Sequence, residues 1–301
     1  MSRPSTGSVL RKLSQATLSR LDSLIPLIIA DDSPDDLHAL RIEVRRLRAV
    51  LGSLRPALAD GPRAHADTLR LLCRQLGAHT TALRDLDVLL ADHERRSRRL
   101  PERLRGGGAS IWEQLRRRRA DAHAALVTFL YSDACQHALA AAKAAAVGLD
   151  AEPSAPFLTL GLRRLMAQMA RVESRAAQVA GSRHDDDLHR LRVRLKGLRY
   201  LFDVLQPVLP ARKGRDVRKV MRRAQDELGR FHDLCVQQAL YEDMLGDGAA
   251  TPVDELLTLA GLVAQMHRRR LKRRKLARRA AASLSGPALN QLHAALKGMT
   301  S

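Results

Sequence analysis

The chain has 301 residues, 45% of them hydrophobic, and a net charge of +20, so it is long and apolar enough to fold around a sizeable core. These values exclude a disordered basic tail, and the excess of Lys and Arg predicts a polyanionic partner: nucleic acid, an anionic membrane surface or polyphosphate. Aromatic residues make up only 3% of the chain, which disfavours modules that stack single-stranded bases on aromatic side chains.

Apolar residues at spacings of three and four predict helices throughout the chain, and no segment has the alternation of a strand. In the first half, Ser33 is a predicted N-cap and Pro34 suits the first turn that follows it. Ser132 marks a local break before an alanine-rich segment. The predicted helices of this half cover about residues 8–30, 33–60, 63–99 and 110–147.

The order of elements repeats after residues 148–156, a segment containing Gly and Pro that reads as a linker near the midpoint. A loop is expected at 246–252. The predicted helices of the second half cover about residues 157–180, 185–209, 215–245 and 253–283. We therefore predict one all-α domain over residues 1–301, with a first half at about 8–147 and a second at about 157–285. It would contain two antiparallel four-helix bundles related by internal duplication and a pseudo-two-fold axis, each burying its own apolar seams.

The duplication is visible in the sequence, because residues 37–58 align without a gap with residues 188–209. On a helix, the Leu residues of each copy fall on one face and a row of cations with one His falls on the neighbouring face. Like charges three and four residues apart destabilise a helix by a few tenths of a kcal/mol per pair, and a bound anion would offset this. The rows include His38, Arg41, Arg45 and Arg48 in the first copy, and His189, Arg192, Lys196 and Arg199 in the second.

Rows of this kind suit a polyphosphate chain, which offers phosphate oxygens and no bases to read. The planar guanidinium of Arg can grip two oxygens, and His adds a donor that gains charge below about pH 6.5. The alternative is that both rows are solvated helix faces, with His38 and His189 acting as caps or core contacts.

The paired HxxRxxxRxLR-type helices, with the downstream elements LG…RDLDV and LGxxHDL, resemble the CHAD family, named for conserved histidines in an α-helical domain. The resemblance covers about residues 8–285. It implies a non-enzymatic module that binds inorganic polyphosphate in a basic cleft between the two bundles, in the cytoplasm or on polyphosphate granules. The residues implied are the two rows together with Arg84 and His232. Arg70, Arg74, Arg218 and Arg222 are further candidates, because their helices are predicted to border the cleft.

The sequence departs from this pattern in two places. Gly197 stands where the first copy has Arg46, and the first downstream element is longer than the second by four residues, about one helical turn.

Asp85, Asp87 and Asp233 suggest either a metal or acid–base centre or, as we favour, carboxylates that pair with and orient neighbouring Arg and His. HExxH, Walker, nucleophile-elbow and Glu-x-Glu-x-Lys motifs are missing from the sequence, so no metal, cofactor or catalytic residue is predicted. Two alternative functions remain: nucleic-acid binding, supported by charge alone and without specific recognition, and an enzyme acting on polyphosphate or a phosphorylated metabolite. The basic run at 268–279 could extend the cleft, bind anions independently or form a solvated helix end.

The cysteines and the apolar segments of the sequence bear on the cellular compartment of the protein. Cys73, Cys135 and Cys235 are far apart and form no CxxC motif, which predicts a reducing environment and no zinc site. The N-terminus lacks the apolar core of a signal peptide, and no apolar run approaches the roughly 20 residues of a membrane-spanning helix. We therefore expect a cytoplasmic protein without a membrane span.

Overall fold

A computed structural model describes residues 4–31, 33–182, 184–246 and 252–300 of the chain. Within these ranges the protein is all-α, and the only strand-like pairing is an isolated bridge between Ser5 and Pro156. The described helices are α1 (Thr6–Ala30), α2 (Pro34–Leu54), α3 (Asp60–His79), α4 (Thr81–Ser97), α5 (Gly108–Tyr131), α6 (Asp133–Gly148), α7 (Phe157–Gly181), α8 (Asp185–Leu205), α9 (Ala211–Gly246), α10 (Val253–Ala282) and α11 (Pro287–Thr300). Most of the predicted loop at 246–252 lies outside the described residues.

The start of α2 follows the predicted capping pattern. The Ser33 hydroxyl accepts a hydrogen bond from the backbone N–H of Asp35 at 3.1 Å, and Pro34 occupies the first turn. The cap fixes where the helix begins.

The predicted third helix at 63–99 is wrong as one element, because it is divided at Thr80 into α3 and α4. The Thr80 hydroxyl donates to the Leu76 carbonyl at 2.7 Å and accepts from Nη1 of Arg41 at 2.7 Å. A threonine hydroxyl bonded to the carbonyl four residues back bends a helix. The matching part of the second half, α9, is one helix of 36 residues, so the extra four residues of the first half lie at this corner.

The prediction of four helices per half is also wrong at two other places. Ser132 ends α5 and caps α6, accepting from the N–H of Cys135 at 3.3 Å, as the expected local break. A helix beyond residue 285, α11, was not predicted, although Leu289, Leu292 and Leu296 are fully buried at spacings of three and four. This helix packs against α7 and α9 and completes the core of the second half.

The linker at 148–156 is held against the beginning of α1. The N–H of Thr6 donates to the Ala155 carbonyl at 3.0 Å, and the N–H of Phe157 donates to the Pro4 carbonyl at 3.0 Å. The N–H of Gly7 donates to the Ser154 hydroxyl at 2.8 Å. A Cβ at Gly7 would lie 2.4 Å from the Leu149 carbonyl oxygen, so only glycine allows this close approach.

The expectation that each half buries its own seams is wrong, because the halves share their cores. One cluster of buried side chains joins Leu86 of α4 and Ile111 of α5 from the first half to Tyr241 of α9 and Met266 of α10 from the second. The larger cluster likewise contains residues of both halves, and α2 packs directly against α8. The two cation-bearing helices are therefore neighbours at the middle of the molecule.

Candidate functional site

A central cavity of about 970 Å³ opens between α2, α4, α7, α8 and α9. Helices of both halves form its walls, because α2 and α8 pack against each other there. Its lining contains seven arginines and one lysine against two aspartates. These charged residues are Arg41, Arg45, Arg48, Arg84, Arg171, Arg192, Arg194, Lys196, Asp85 and Asp233.

Nine of the fourteen candidate residues from the sequence line this cavity. They are His38, Arg41, Arg45 and Arg48 of α2, Arg84 of α4, His189, Arg192 and Lys196 of α8, and His232 of α9. Residues three and four apart share a helix face, so one face of each helix brings its whole row to the same space. Arg84 and His232, from downstream elements of unequal length, line the same cavity.

Arg199 is the one member of the two rows that does not line the central cavity. Its Nε lies 4.0 Å from the Asp203 carboxylate one turn later, and its guanidinium carbon lies 5.3 Å from the centre of the Tyr200 ring. In the first copy, the position that matches Asp203 is Gly52, so Arg48 has no such carboxylate and faces the cavity. Tyr200 and the residue that matches it in the first copy, Ala49, both line the cavity.

The other four candidates also lie outside the lining. Arg70 pairs with Asp67 at 3.1 Å, and Arg74 is exposed on α3. Arg218 pairs with Asp203 at 3.0 Å, and it lies with Arg222 in a separate groove along α9. Their helices therefore do not bring these side chains to the central cavity.

Arg41 is both a cavity residue and part of the structure of the α3–α4 corner. Its side chain is buried, and Nη1 donates to the hydroxyls of Thr80 and Thr81 and to the Gly77 carbonyl, at 2.7, 3.2 and 3.3 Å. Burial lowers the Arg41 pKa to about 10, helped by the charge of Arg45. The α3–α4 corner is therefore stabilised by a cation that also lines the cavity.

Arg45 and Lys196 occupy matched positions on α2 and α8, and neither makes an ion pair or hydrogen bond with a described residue. Burial lowers the Lys196 pKa to about 7, and the nearby charges of Arg192 and Arg45 lower it further in the same direction. Burial is the main cause of this shift, and the repulsion from the two arginines shows that Lys196 lies among cations, with no described carboxylate paired to it.

Three histidines face the same space. The Nδ1 atoms of His189 and His232 lie 3.4 Å apart, and their ring centres lie 4.9 Å apart. Burial and the charge of Arg192 lower the His232 pKa to about 3, while burial and Arg84 lower the pKa of His38. His38 and His232 are therefore neutral near pH 7, and each can donate a hydrogen bond through one ring nitrogen only.

The three candidate aspartates, Asp85, Asp87 and Asp233, differ in their contacts. Asp87 is buried and accepts from Nε of Arg119 at 2.8 Å, as expected for a carboxylate that orients an arginine. Asp233 lies 4.0 Å from Arg192, and burial raises its pKa and that of Asp85. No three His, Cys, Asp or Glu side chains of the described ranges lie together as a metal-binding group.

The lining residues that sequence reasoning missed include Gln168, Arg171, Arg194 and Tyr200. Gln168 and Arg171 belong to a polar stripe on α7 that continues to Arg175 at spacings of three and four. That stripe was a usable signal for a second face beside the apolar one. Gln168 also donates to the Ser53 hydroxyl at 2.5 Å, a contact between the two halves.

The comparisons with known proteins agree with this architecture. A family model described as the CHAD domain matches residues 13–242. The chain belongs to the CHAD domain family. No curated protein matches the chain.

Two solved structures resemble this CHAD domain. A CHAD domain from the plant Ricinus communis superposes with a TM-score of 0.76 at 21% identity, covering 93% of this chain and 92% of the plant chain. A protein described as PptA from Streptomyces chartreusis superposes with a TM-score of 0.67 at 18% identity, covering 92% of this chain and 99% of the other. At these identities the likeness shows a shared fold.

The basic run of this CHAD domain, residues 268–279 on α10, does not line the central cavity. Arg274 lies 3.0 Å from Asp185 at the start of α8, and Arg273 lies 3.0 Å from Glu227 of α9. Two arginines of the run therefore form ion pairs that connect α10 to α8 and α9. Within the described ranges, none of the helices combines the length and apolarity needed to cross a bilayer.

Proposed function

We propose that this CHAD domain binds inorganic polyphosphate in the central cavity and does not catalyse a reaction on it. On this proposal the cavity is the basic cleft at which two halves related by internal duplication meet. The observation that carries the proposal is that the cations of two matched segments line one space. A scattered arrangement would have left the rows on unrelated surfaces.

The charge balance of the cavity supports a polyanion as the ligand. Arg45 and Lys196 have no ion-pair partner among the described residues, and the Lys196 pKa of about 7 reflects burial first and repulsion by Arg192 and Arg45 second. A chain of phosphates would supply the missing negative charge, protonate Lys196 and accept hydrogen bonds from His189 and His232. Binding would thereby offset the electrostatic cost of bringing these cations together.

The composition of the lining favours polyphosphate over nucleic acid. Among the described lining residues, Tyr200 is the only Phe, Tyr or Trp, whereas single-stranded binders stack bases on several such rings. Arginines and a lysine suit phosphate oxygens, which polyphosphate presents at every unit. The site we propose would act in the cytoplasm or on a polyphosphate granule.

A pair of variants at Gly197 tests the site by charge alone. Gly197 lines the cavity within α8, and a Cβ there would meet no atom within 4 Å, so a longer side chain has room. Gly197→Glu places a carboxylate among the cations, while Gly197→Gln has the same shape without charge. Replacing a helical glycine should raise helix stability by roughly 0.5 kcal/mol in both variants.

We expect Gly197→Glu to lose at least about tenfold in polyphosphate affinity, since a like charge is forced against the ligand, while Gly197→Gln stays near wild type. Fluorescence anisotropy with labelled long-chain polyphosphate gives the affinity, and thermal unfolding checks the fold. Equal affinities for the two variants would contradict the site.

Two further measurements address the alternative functions. Unlabelled RNA should displace the labelled polymer only at a far higher phosphate concentration than unlabelled polyphosphate does. Incubation of the pure protein with polyphosphate and divalent metals should release no phosphate and leave the chain length unchanged. Efficient displacement by RNA would support a nucleic-acid binder, and shortened chains would support an enzyme.

A further inference from the structure

A second basic surface runs along the outside of α9. This α9 groove has a volume of about 440 Å³ and is separate from the central cavity. It is lined by Arg215, Arg218, Lys219, Arg222, Arg223, Asp226, Glu227 and Arg230. Most of its cations are exposed and lie three or four residues apart. Each such pair of like charges destabilises the helix by roughly 0.2–0.5 kcal/mol.

The carboxylates of the α9 groove neutralise it only in part, because six Lys and Arg side chains line it against Asp226 and Glu227. Glu227 is already engaged by Arg230 at 2.6 Å and by Arg273 at 3.0 Å. Lys219 and Arg223 have no ion-pair or hydrogen-bond partner among the described residues, and the same is true of Arg215 and Arg222. The groove therefore offers four uncommitted cations to an external anion.

A short path of side chains connects the α9 groove to the central cavity. Tyr200 lines the cavity, and the Arg199 guanidinium carbon lies 5.3 Å from its ring centre. Nε of Arg199 lies 4.0 Å from one Asp203 oxygen, while Nη2 of Arg218 lies 3.0 Å from the other. Arg218 belongs to the groove, so Arg199 and Arg218 share one carboxylate at the boundary between the two basic surfaces.

We propose that the α9 groove is a second binding site for the same polymer, occupied by polyphosphate chains long enough to leave the central cavity past Arg199. This inference rests on the proposed function of the cavity. A chain anchored in the cavity meets the groove at a high effective concentration, so the second contact adds affinity without a second free ligand. Chains that end inside the cavity gain nothing from the groove.

The test compares tripolyphosphate with long-chain polyphosphate. The groove variant is Lys219→Ala/Arg223→Ala, which removes two exposed cations of α9 that do not line the central cavity. The matched control is Arg116→Ala/Arg117→Ala, which removes two exposed cations of α5 that line neither surface. Both variants have the same net charge, so a non-specific loss of attraction would affect them equally.

We expect the groove variant to lose about tenfold in long-chain affinity at low salt, and its slope of log affinity against log salt to fall by about 1.5. Its affinity for tripolyphosphate and that of the control for either ligand should match wild type. Unchanged long-chain binding in the groove variant, or an equal loss in the control, would overturn the inference while leaving the cavity site intact.

Gly197→Glu distinguishes failure of the inference from failure of the proposed function. This variant should lose tripolyphosphate binding, because the short chain has only the cavity. If it binds tripolyphosphate as wild type does, the cavity is not the site, and both the proposed function and the extension along α9 fall.

Discussion

Lys196 makes polyphosphate binding dependent on pH in a direction that follows from its surroundings. In the free protein, burial and the neighbouring arginines lower its pKa from 10.5 to about 7. Phosphate oxygens in the cavity favour the charged ammonium, so binding raises this pKa and takes up a proton. Affinity is therefore fully supported below pH 7 and decreases as the pH rises through that value towards the pKa of the complex.

The magnitude follows from linkage. If the ligand restores the ordinary pKa of 10.5, affinity should fall by about fiftyfold between pH 7 and pH 9, approaching tenfold per pH unit. Stability of the free protein should change in the opposite direction. The unfolded chain binds more protons than the native protein in this window, so the contribution of Lys196 to the free energy of unfolding rises with pH.

The matched residue of the first copy supplies the control variant. Arg45 stands where the second copy has Lys196, and Lys196→Arg places in α8 the cation that α2 already carries there. An arginine stays charged across this range, so the pH dependence assigned to Lys196 should disappear. The inner phosphates of a long chain are ionised throughout, and comparison with wild type cancels any titration of the chain ends.

Calorimetric titration in two buffers of different ionisation enthalpy measures the proton uptake directly. Wild type should take up close to one proton per bound site at pH 8, and Lys196→Arg markedly less. The same slope of affinity against pH in both proteins would refute the assignment, as would proton release on binding.

Three further outcomes are expected. Arg41→Ala should lower the free energy of unfolding by about 3 kcal/mol in urea titrations, because the buried hydroxyls and carbonyl of the α3–α4 corner lose their donor. Wild-type stability in this variant would show that the corner does not depend on Arg41. Asp203→Ala should raise the affinity for long-chain polyphosphate about threefold, because Arg199 loses its carboxylate partner. Asp121→Ala on α5 is the control for the loss of one negative charge, and equal gains in the two variants would contradict a specific role for Asp203. Leu292→Ala should cost about 3 kcal/mol by the same urea assay, and no loss would show that α11 adds nothing to the core.

The helical nature of the chain and the sharing of one helix face by each cation row could be predicted because both depend on local spacing, whereas the cleft itself is implied by the family resemblance. A cation three or four residues after another lies on the same face whatever the tertiary context. Ser33 and Pro34 likewise fix the start of α2 through contacts within a few residues. Where the residues that determine a feature lie within a few positions of each other, the sequence pattern is sufficient to predict that feature.

The features that could not be predicted depend on residues distant in sequence. The corner at Thr80 is stabilised by Arg41, 39 residues earlier, so the continuous apolar pattern of 63–99 gives no sign of it. The shared core of α4, α5, α9 and α10 joins residues of opposite halves. The pattern of each helix shows an apolar face and cannot show which neighbour covers it.

Differences between the two copies predict the direction in which a long polyphosphate chain leaves the proposed site. A symmetric pair of rows would face the cavity equally, but Arg199 lies outside the lining beside Asp203, whereas Arg48 lines it and has Gly52 at the position that matches Asp203. The side of α8 where the row leaves the cavity is the side where Arg218 and the α9 groove begin. In the first half, Arg55 and Arg70 share the Asp67 carboxylate at 2.5 and 3.1 Å, but neither arginine lines the cavity or the α9 groove. If a polymer enters the cavity as proposed, the cations that continue its path lie on the α9 side, so a long chain should extend in that direction.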